Sequence, residues 1–174
     1  MVINDGQEAV QDGSDETRRV WAALQGVKDP EIPSVSLVEL GMVPAVSIAD
    51  GRVTVRMLPT FAGCPALDLI REQIGQAVRE AGFAEVSVEV VFDPPWSTDR
   101  ITPEGLKKLK EFGLAPPQRC GPEGGASEAA LQDVPCPYCG SKDTTLESMF
   151  GPTLCRAIHY CNHCQQSFEQ FKPV

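Results

Sequence analysis

Histidine is nearly missing from this chain: 2 residues in 174, His159 and His163. Everything before them has no imidazole, so a Cys-His pair or a Ser-His-Asp triad is excluded there, and with it ordinary hydrolase chemistry. Basic charge is also short. Lys and Arg number 15 against 24 Asp and Glu, a net charge of -9, which argues against nucleic acid as a partner, because phosphate contacts need a surplus of cations. No stretch approaches the roughly 20 apolar residues of a membrane helix, so no membrane partner is expected. No glycine-rich phosphate loop or dinucleotide fingerprint occurs. The N-terminal residues have neither a basic start nor the apolar core of a signal peptide, which predicts a chain kept in the cytoplasm.

Cysteine, by contrast, is plentiful, at 7 residues. Intracellular thiols stay reduced, so this count points to metal or redox chemistry more than to disulfides. The length suits one ordinary domain and a small appendage, at about 150 residues per domain. Residues 1–14 carry Asp5, Glu8 and Asp12 without a base, and read as a solvated, disordered acidic head. Residues 15–114 read as one α+β domain. A helix is predicted from Asp15 to Val27, capped by Ser14, with Val20, Trp21, Leu24 and Val27 at helical spacing. Two strands, Val43–Ala49 and Arg52–Leu58, flank a tight turn at Asp50-Gly51. A second helix is predicted to begin just after Cys64, with Pro65 in its first position, and to stop at Gly82. The alternating Val86, Val88 and Val90 predict a third strand over Glu85–Phe92, and a short helix over Pro103–Phe112 is expected to close the domain. The fold class is thus a small three-stranded sheet covered by helices, followed by a small β zinc ribbon. Residues 115–134, rich in Pro, Gly and Ala without an apolar period, read as a linker.

Residues 135–174 are too few to bury a stable core without a metal or a disulfide. They contain two Cys-x-x-Cys knuckles, Cys136-Pro137-Tyr138-Cys139 and Cys161-Asn162-His163-Cys164, 21 residues apart. Two such knuckles supply the four thiolates of a tetrahedral Zn(II) site, and the same four would also suit a rubredoxin-like iron. With every position filled by protein, the site is expected to be structural or a docking knob rather than catalytic. His163, between two ligands, is expected to point away from the metal, and Cys155 to be a small buried hydrophobe. As substitute ligands His163 and Cys155 compete weakly with a complete cysteine set; His159 also lies in this region, and Cys120, in the linker, has no assigned role.

Cys64 stands apart. It lies where a strand-derived loop enters a helix, so free backbone N–H groups and the helix dipole would favour its thiolate, the form that attacks electrophiles or binds metals. The alternative is a buried cysteine packing at a helix start. One thiolate cannot hold an iron-sulfur cluster alone; other ligands would come from a second subunit, a small thiol, nearby carboxylates or a client protein. Asp29, Glu31 and Asp93 lie on proline-rich loops that could converge near Cys64, or could simply cap their own turns. Trp96 reads as a core or edge anchor.

The segments Asp29-Pro30-Glu31-Ile32-Pro33, Val38-Glu39-Leu40-Gly41-Met42-Val43, Thr60-x-x-Gly63-Cys64-Pro65 and Asp93-Pro94-Pro95-Trp96-Ser97-Thr98-Asp99 resemble the iron-sulfur assembly domain of SufT-like proteins. Joined to a CPYCGS…CNHC ribbon ending in Phe168-x-x-Phe171-Lys172, they resemble the PaaD branch of that family. The resemblance implies an accessory subunit that helps assemble an iron-sulfur cluster or iron centre in the multicomponent phenylacetyl-CoA epoxidase, a di-iron oxygenase of phenylacetate catabolism with its own reductase. It implies a transient iron or cluster at Cys64, a pocket formed by Asp29, Glu31, Thr60 and Asp93, and zinc on Cys136, Cys139, Cys161 and Cys164. The implied partners are the oxygenase and reductase subunits, with cluster sharing favouring a homodimer. The chain would then be a carrier rather than an enzyme in itself. Two other readings stand beside it: a stoichiometric, non-catalytic scaffold of the oxygenase, and a thiol oxidoreductase using Cys136 and Cys139.

Overall fold

The computed structural model describes residues 14–61, 63–117 and 131–173. Its contacts divide the chain into two compact units, Met1–Pro95 and Trp96–Val174. Among the described residues no helix is long and apolar enough to cross a membrane.

The first unit opens with helix α1, Asp15–Gly26, whose first turn is closed by the Ser14 hydroxyl accepting from the Thr17 N–H. Its apolar face buries Val20 and Leu24. Strands β1 (Ala45–Ala49) and β2 (Arg52–Met57) form an antiparallel hairpin. Asp50 and Gly51 have φ of 52° and 76°, the doubly left-handed pair that matches a two-residue turn to the twist of its strands. Helix α2, Leu67–Glu80, then crosses over to β3, Glu85–Val90, which pairs parallel with β2 from Arg52↔Glu85 to Met57↔Val90. The sheet order is β1-β2-β3. As the central strand, β2 buries Val53, Val55 and Met57 on its alternate positions, and Ile70, Ile74 and Val78 of α2 are buried with them in this unit's core.

Helix α2 departs from expectation at its start. The Leu67 N–H donates to the Cys64 carbonyl at 3.3 Å, a three-residue turn, and the first helical bond is Ile70 N–H to Ala66 O at 2.9 Å. Pro65 and Ala66 therefore form a turn ahead of the helix, and Cys64 stands outside it. Its end is as expected: Gly82 takes φ +98°, with Phe83 N–H bonded to Val78 O and Gly82 N–H to Arg79 O, the paired bonds of a Schellman stop.

The second unit begins at Trp96, passes a 3-10 turn at Thr98–Arg100 and enters helix α3, Pro103–Glu111, capped by Thr102 accepting from Gly105 N–H. Strands β4 (Leu114–Ala115), β5 (Thr144–Ser148), β6 (Arg156–Cys161) and β7 (Ser167–Phe171) follow. They form one sheet in the order β4-β7-β6-β5, with β4 parallel to β7. This differs from the expected division in two ways. Helix α3, expected to close the first domain, belongs to the second unit. Both ends of the expected linker 115–134 are structured: Ala115 is fully buried in β4, and Leu131 and Val134 are buried as well. Pairing across β4 and β7 joins Leu114 to Glu169 and Ala115 to Gln170, a long-range contact with no periodic trace in a two-residue strand. The linker's middle, with Cys120, and the acidic head before Ser14 lie outside the described residues.

Candidate metal centre

Cys136, Cys139, Cys161 and Cys164 converge. Their Sγ atoms all lie within 4.8 Å of one another, with Cys136 to Cys164 at 3.7 Å and Cys139 to Cys161 at 3.6 Å. A disulfide would require about 2.05 Å. A tetrahedron built on metal–sulfur bonds of about 2.3 Å has sulfur–sulfur edges of about 3.8 Å. The four thiols thus stand at the corners of a tetrathiolate metal site, and the residues fit zinc with no position left open for a substrate or water.

The two knuckles reach this geometry by the same backbone path. In the first, Cys136 N–H donates to Ser141 O and Gly140 N–H to Cys136 O, both at 2.9 Å; in the second, Cys161 N–H donates to Gln166 O and Gln165 N–H to Cys161 O, again both at 2.9 Å. The fourth residue after each leading cysteine turns left-handed, Gly140 at φ +76° and Gln165 at φ +59°. The second knuckle is the β6–β7 turn; the first is a loop ahead of β5. Burial is uneven. Cys136 and Cys161 sit in an apolar cluster with Ala115, Val134 and Phe168, against which Cys164 packs, while Cys139 is exposed.

Without a metal, the thiols hold one another's protons unequally. The Cys164 backbone N–H, chiefly, draws Cys161 down to about 7. Desolvation, and then the Cys161, Cys139 and Cys136 thiols, push Cys164 up to about 12. One thiol therefore ionises first, and a metal displaces the protons of its neighbours. His159 lies outside the set: its Nε2 is 3.0 Å from Gln170 Oε1, and its ring stacks on Phe168 with centroids 5.3 Å apart. Burial lowers its pKa below the ordinary histidine value against the pull of Gln170. His163 is exposed. Cys155 Sγ lies 3.1 Å from Thr153 Oγ1.

Cys64 is in the first unit, half-buried, its N–H donating to Phe61 O at 3.2 Å. Because β2 and β3 run parallel, the loop after β2 and the exit from β3 leave the sheet at the same end. Leu58 N–H donates to Met42 O at 2.7 Å and Val91 N–H to Met57 O at 2.8 Å, holding both exits there. That end carries Thr60 and Cys64 on one segment and the exposed Asp93 on the other. Asp29 is engaged differently. Its Oδ1 accepts from the N–H groups of Glu31 and Ile32, both at 2.9 Å, which is the turn-capping role open to an aspartate before proline. Glu31 is exposed on that turn. The structure groups Thr60, Cys64 and Asp93 by topology and sets Asp29 and Glu31 on a separate loop.

One residue beside the metal site was not singled out in the sequence. Asn162, between two ligands, donates from its backbone N–H to Asp143 O and from Nδ2 to Asp143 Oδ1, both at 2.9 Å, and to Thr145 Oγ1 at 3.2 Å. The only sequence signal was an amide side chain inside a Cys-x-x-Cys, too common to single out.

Comparison with known proteins matches each half to a family. Residues 17–90 fit the model of the iron-sulfur cluster assembly protein family, and residues 122–172 fit that of the PaaD zinc beta ribbon domain. A protein of Escherichia coli (strain K12) named as a component of 1,2-phenylacetyl-CoA epoxidase is 37% identical over 160 residues, covering 91% of this chain and 94% of that one. An Fe-S protein maturation auxiliary factor of Porphyromonas gingivalis (strain ATCC BAA-308 / W83) is 39% identical over 88 residues, 49% of this chain and 83% of that one. The crystal structure of a domain of unknown function from Bacillus anthracis aligns with a TM-score of 0.50 at 29% identity, covering 53% of this chain and 89% of that one. With an assembly domain followed by a tetrathiolate ribbon and a relative matched along nearly its whole length, the chain belongs to the PaaD family of phenylacetyl-CoA epoxidase components.

Proposed function

We propose that the chain is an accessory subunit that assists assembly of an iron-sulfur cluster or iron centre in a phenylacetyl-CoA epoxidase, and is not itself the catalyst. The observation that carries this reading is the partition of its thiols. Four close around one point and leave no coordination position free, while Cys64 stands outside them, half-buried on the loop between β2 and α2. A closed tetrathiolate zinc organises its own unit and offers nothing to a substrate. A single thiolate supplies one ligand to an iron or cluster that needs about four, so it holds cargo only with further ligands from a second copy, a small thiol, nearby carboxylates or the client, and gives it up by exchange. The names of the relatives support this: one is an epoxidase component, the other an iron-sulfur maturation factor.

In this reading the iron or cluster is cargo, passed to the oxygenase or reductase subunits in the cytoplasm, where thiols stay reduced. Asp93 and Thr60, at the same end of the sheet as Cys64, line the approach to the thiol. Co-expression of the epoxidase subunits with wild-type or Cys64→Ala chain tests it. The substituted chain is expected to keep its zinc while the purified clients lose iron or acid-labile sulfide. Clients with full iron and sulfide content beside the Cys64→Ala chain would overturn the reading.

A further inference from the structure

Two half-sites make the metal centre, and something must hold them at the right spacing when the metal is not there to do it. Residues Ser141–Thr145 lead out of the first knuckle into β5. Within them, Ser141 O accepts from Cys136 N–H, and Ser141 Oγ accepts from Asp143 N–H at 3.1 Å. Asp143 in turn accepts twice from Asn162, on its backbone oxygen and on Oδ1, and Thr145 Oγ1 accepts a third bond from Asn162 Nδ2. A continuous set of hydrogen bonds thus runs from the leading ligand of one knuckle to the residue directly after the leading ligand of the other. Thr144 pairs with Cys161 in the β5–β6 ladder, which sets Asp143 opposite Asn162; both are exposed, and the two Nδ2 bonds, to Asp143 Oδ1 and Thr145 Oγ1, add a side-chain tie to that register.

We infer that Asn162 is a positioning residue that pins the two knuckles in register and thereby sets how slowly the ribbon gives up its metal. The inference rests on the reading of the four cysteines as a metal site. Groups that orient ligands from behind typically account for 10–100-fold in metal affinity. Their loss acts on the site rather than on the core, because the Asn162 side chain is exposed and is not a member of the buried apolar cluster around Cys136 and Cys161.

The test measures zinc transfer from the zinc-loaded full chain to the chromogenic chelator 4-(2-pyridylazo)resorcinol, beside elemental analysis and thermal melting of the same samples. Asn162→Ala is expected to release zinc about 10-fold faster than wild type, with the secondary-structure signal of the loaded chain unchanged. Asn162→Asp sets two carboxylates against each other and is expected to release faster still. The double exchange Asp143→Asn with Asn162→Asp restores an amide–carboxylate pair and is expected to return release toward the wild-type rate. Wild-type release from Asn162→Ala, or no rescue by the double exchange, would overturn the positioning role. A wild-type chain that carries no stoichiometric zinc or iron would overturn the metal-site reading beneath it, and the two failures are told apart by the elemental analysis alone.

Discussion

Trp96 packs against Phe171 with ring centroids 5.9 Å apart and planes inclined by 57°, a tilted arrangement that aromatic pairs favour over a flat sandwich. Both rings are buried. Trp96 closes the Asp-Pro-Pro-Trp motif that follows β3 in sequence, yet its partner is on the last strand of the ribbon sheet. The core or edge anchor expected of Trp96 is therefore a core residue of the second unit.

Replacing it should accordingly be felt in the ribbon. Trp96→Ala is expected to cost about 3–5 kcal/mol, as other buried Trp and Phe truncations do, and Trp96→Phe distinctly less. Hydrogen exchange resolves where the loss falls. The amides of β6 and β7 should open more readily while those of β1 and β2 keep their protection. Loss confined to the first unit would contradict the assignment of Trp96.

What the sequence made legible and what it did not follow the range of the interactions. The hairpin at Asp50-Gly51, the Ser14 cap and the Gly82 stop are local devices, each written in one or two residues whose backbone or side-chain needs are specific. The tetrathiolate site is non-local, but thiol pairs at fixed spacing announce it because few other arrangements use them. Strand β4 had no such mark: Leu114 and Ala115 become a strand because Glu169 and Gln170 lie beside them. Among the candidate pocket residues, Asp29 shows the same limit. Aspartate before proline is compatible with a cargo ligand or a capped turn, and the sequence does not show that the Glu31 and Ile32 N–H groups meet its Oδ1.

The four ligand cysteines should not respond alike to replacement. Any Cys→Ser change removes a ligand, and zinc affinity should drop by more than the roughly 100-fold at which supporting hydrogen bonds reach their limit. Cys136 and Cys161 also belong to the buried cluster with Val134 and Phe168, so their serine variants place a hydroxyl in an apolar site. Cys139→Ser, at an exposed position, should lose metal with little further cost. Melting of the chelator-treated variants checks the order: Cys139→Ser close to metal-free wild type, Cys136→Ser and Cys161→Ser below it.

The matched knuckles provide a paired test. A Cβ on Gly140 would meet no heavy atom within 4 Å, so Gly140→Ala carries only the cost of a left-handed alanine, about 1–2 kcal/mol. Gln165 already bears that cost at φ +59°. Gln165→Gly should therefore stabilise the chain, by up to about 1 kcal/mol once the greater freedom of glycine in the unfolded state is subtracted. Opposite shifts in melting temperature for the two variants are expected; shifts of the same sign would mean the knuckles are not equivalent.

Asp29 separates a structural carboxylate from a working one. Its Oδ1 accepts from two backbone N–H groups; without it the Ile32 N–H keeps its 3.2 Å bond to Asp29 O while the Glu31 N–H loses this acceptor, at about 1 kcal/mol for a typical cap. Asp29→Ala is expected to lower stability by about that amount. Asn keeps a side-chain oxygen at the same place, so Asp29→Asn should melt close to wild type. The charge, however, is gone from Asn, and this makes the variant informative about cargo. If the carboxylate served only the turn, clients matured beside Asp29→Asn chain would carry normal iron and sulfide, which is the outcome the geometry predicts. Deficient clients with an undiminished melting temperature would instead show that the negative charge acts on the metal, and Asp29 would join Cys64 in the pocket.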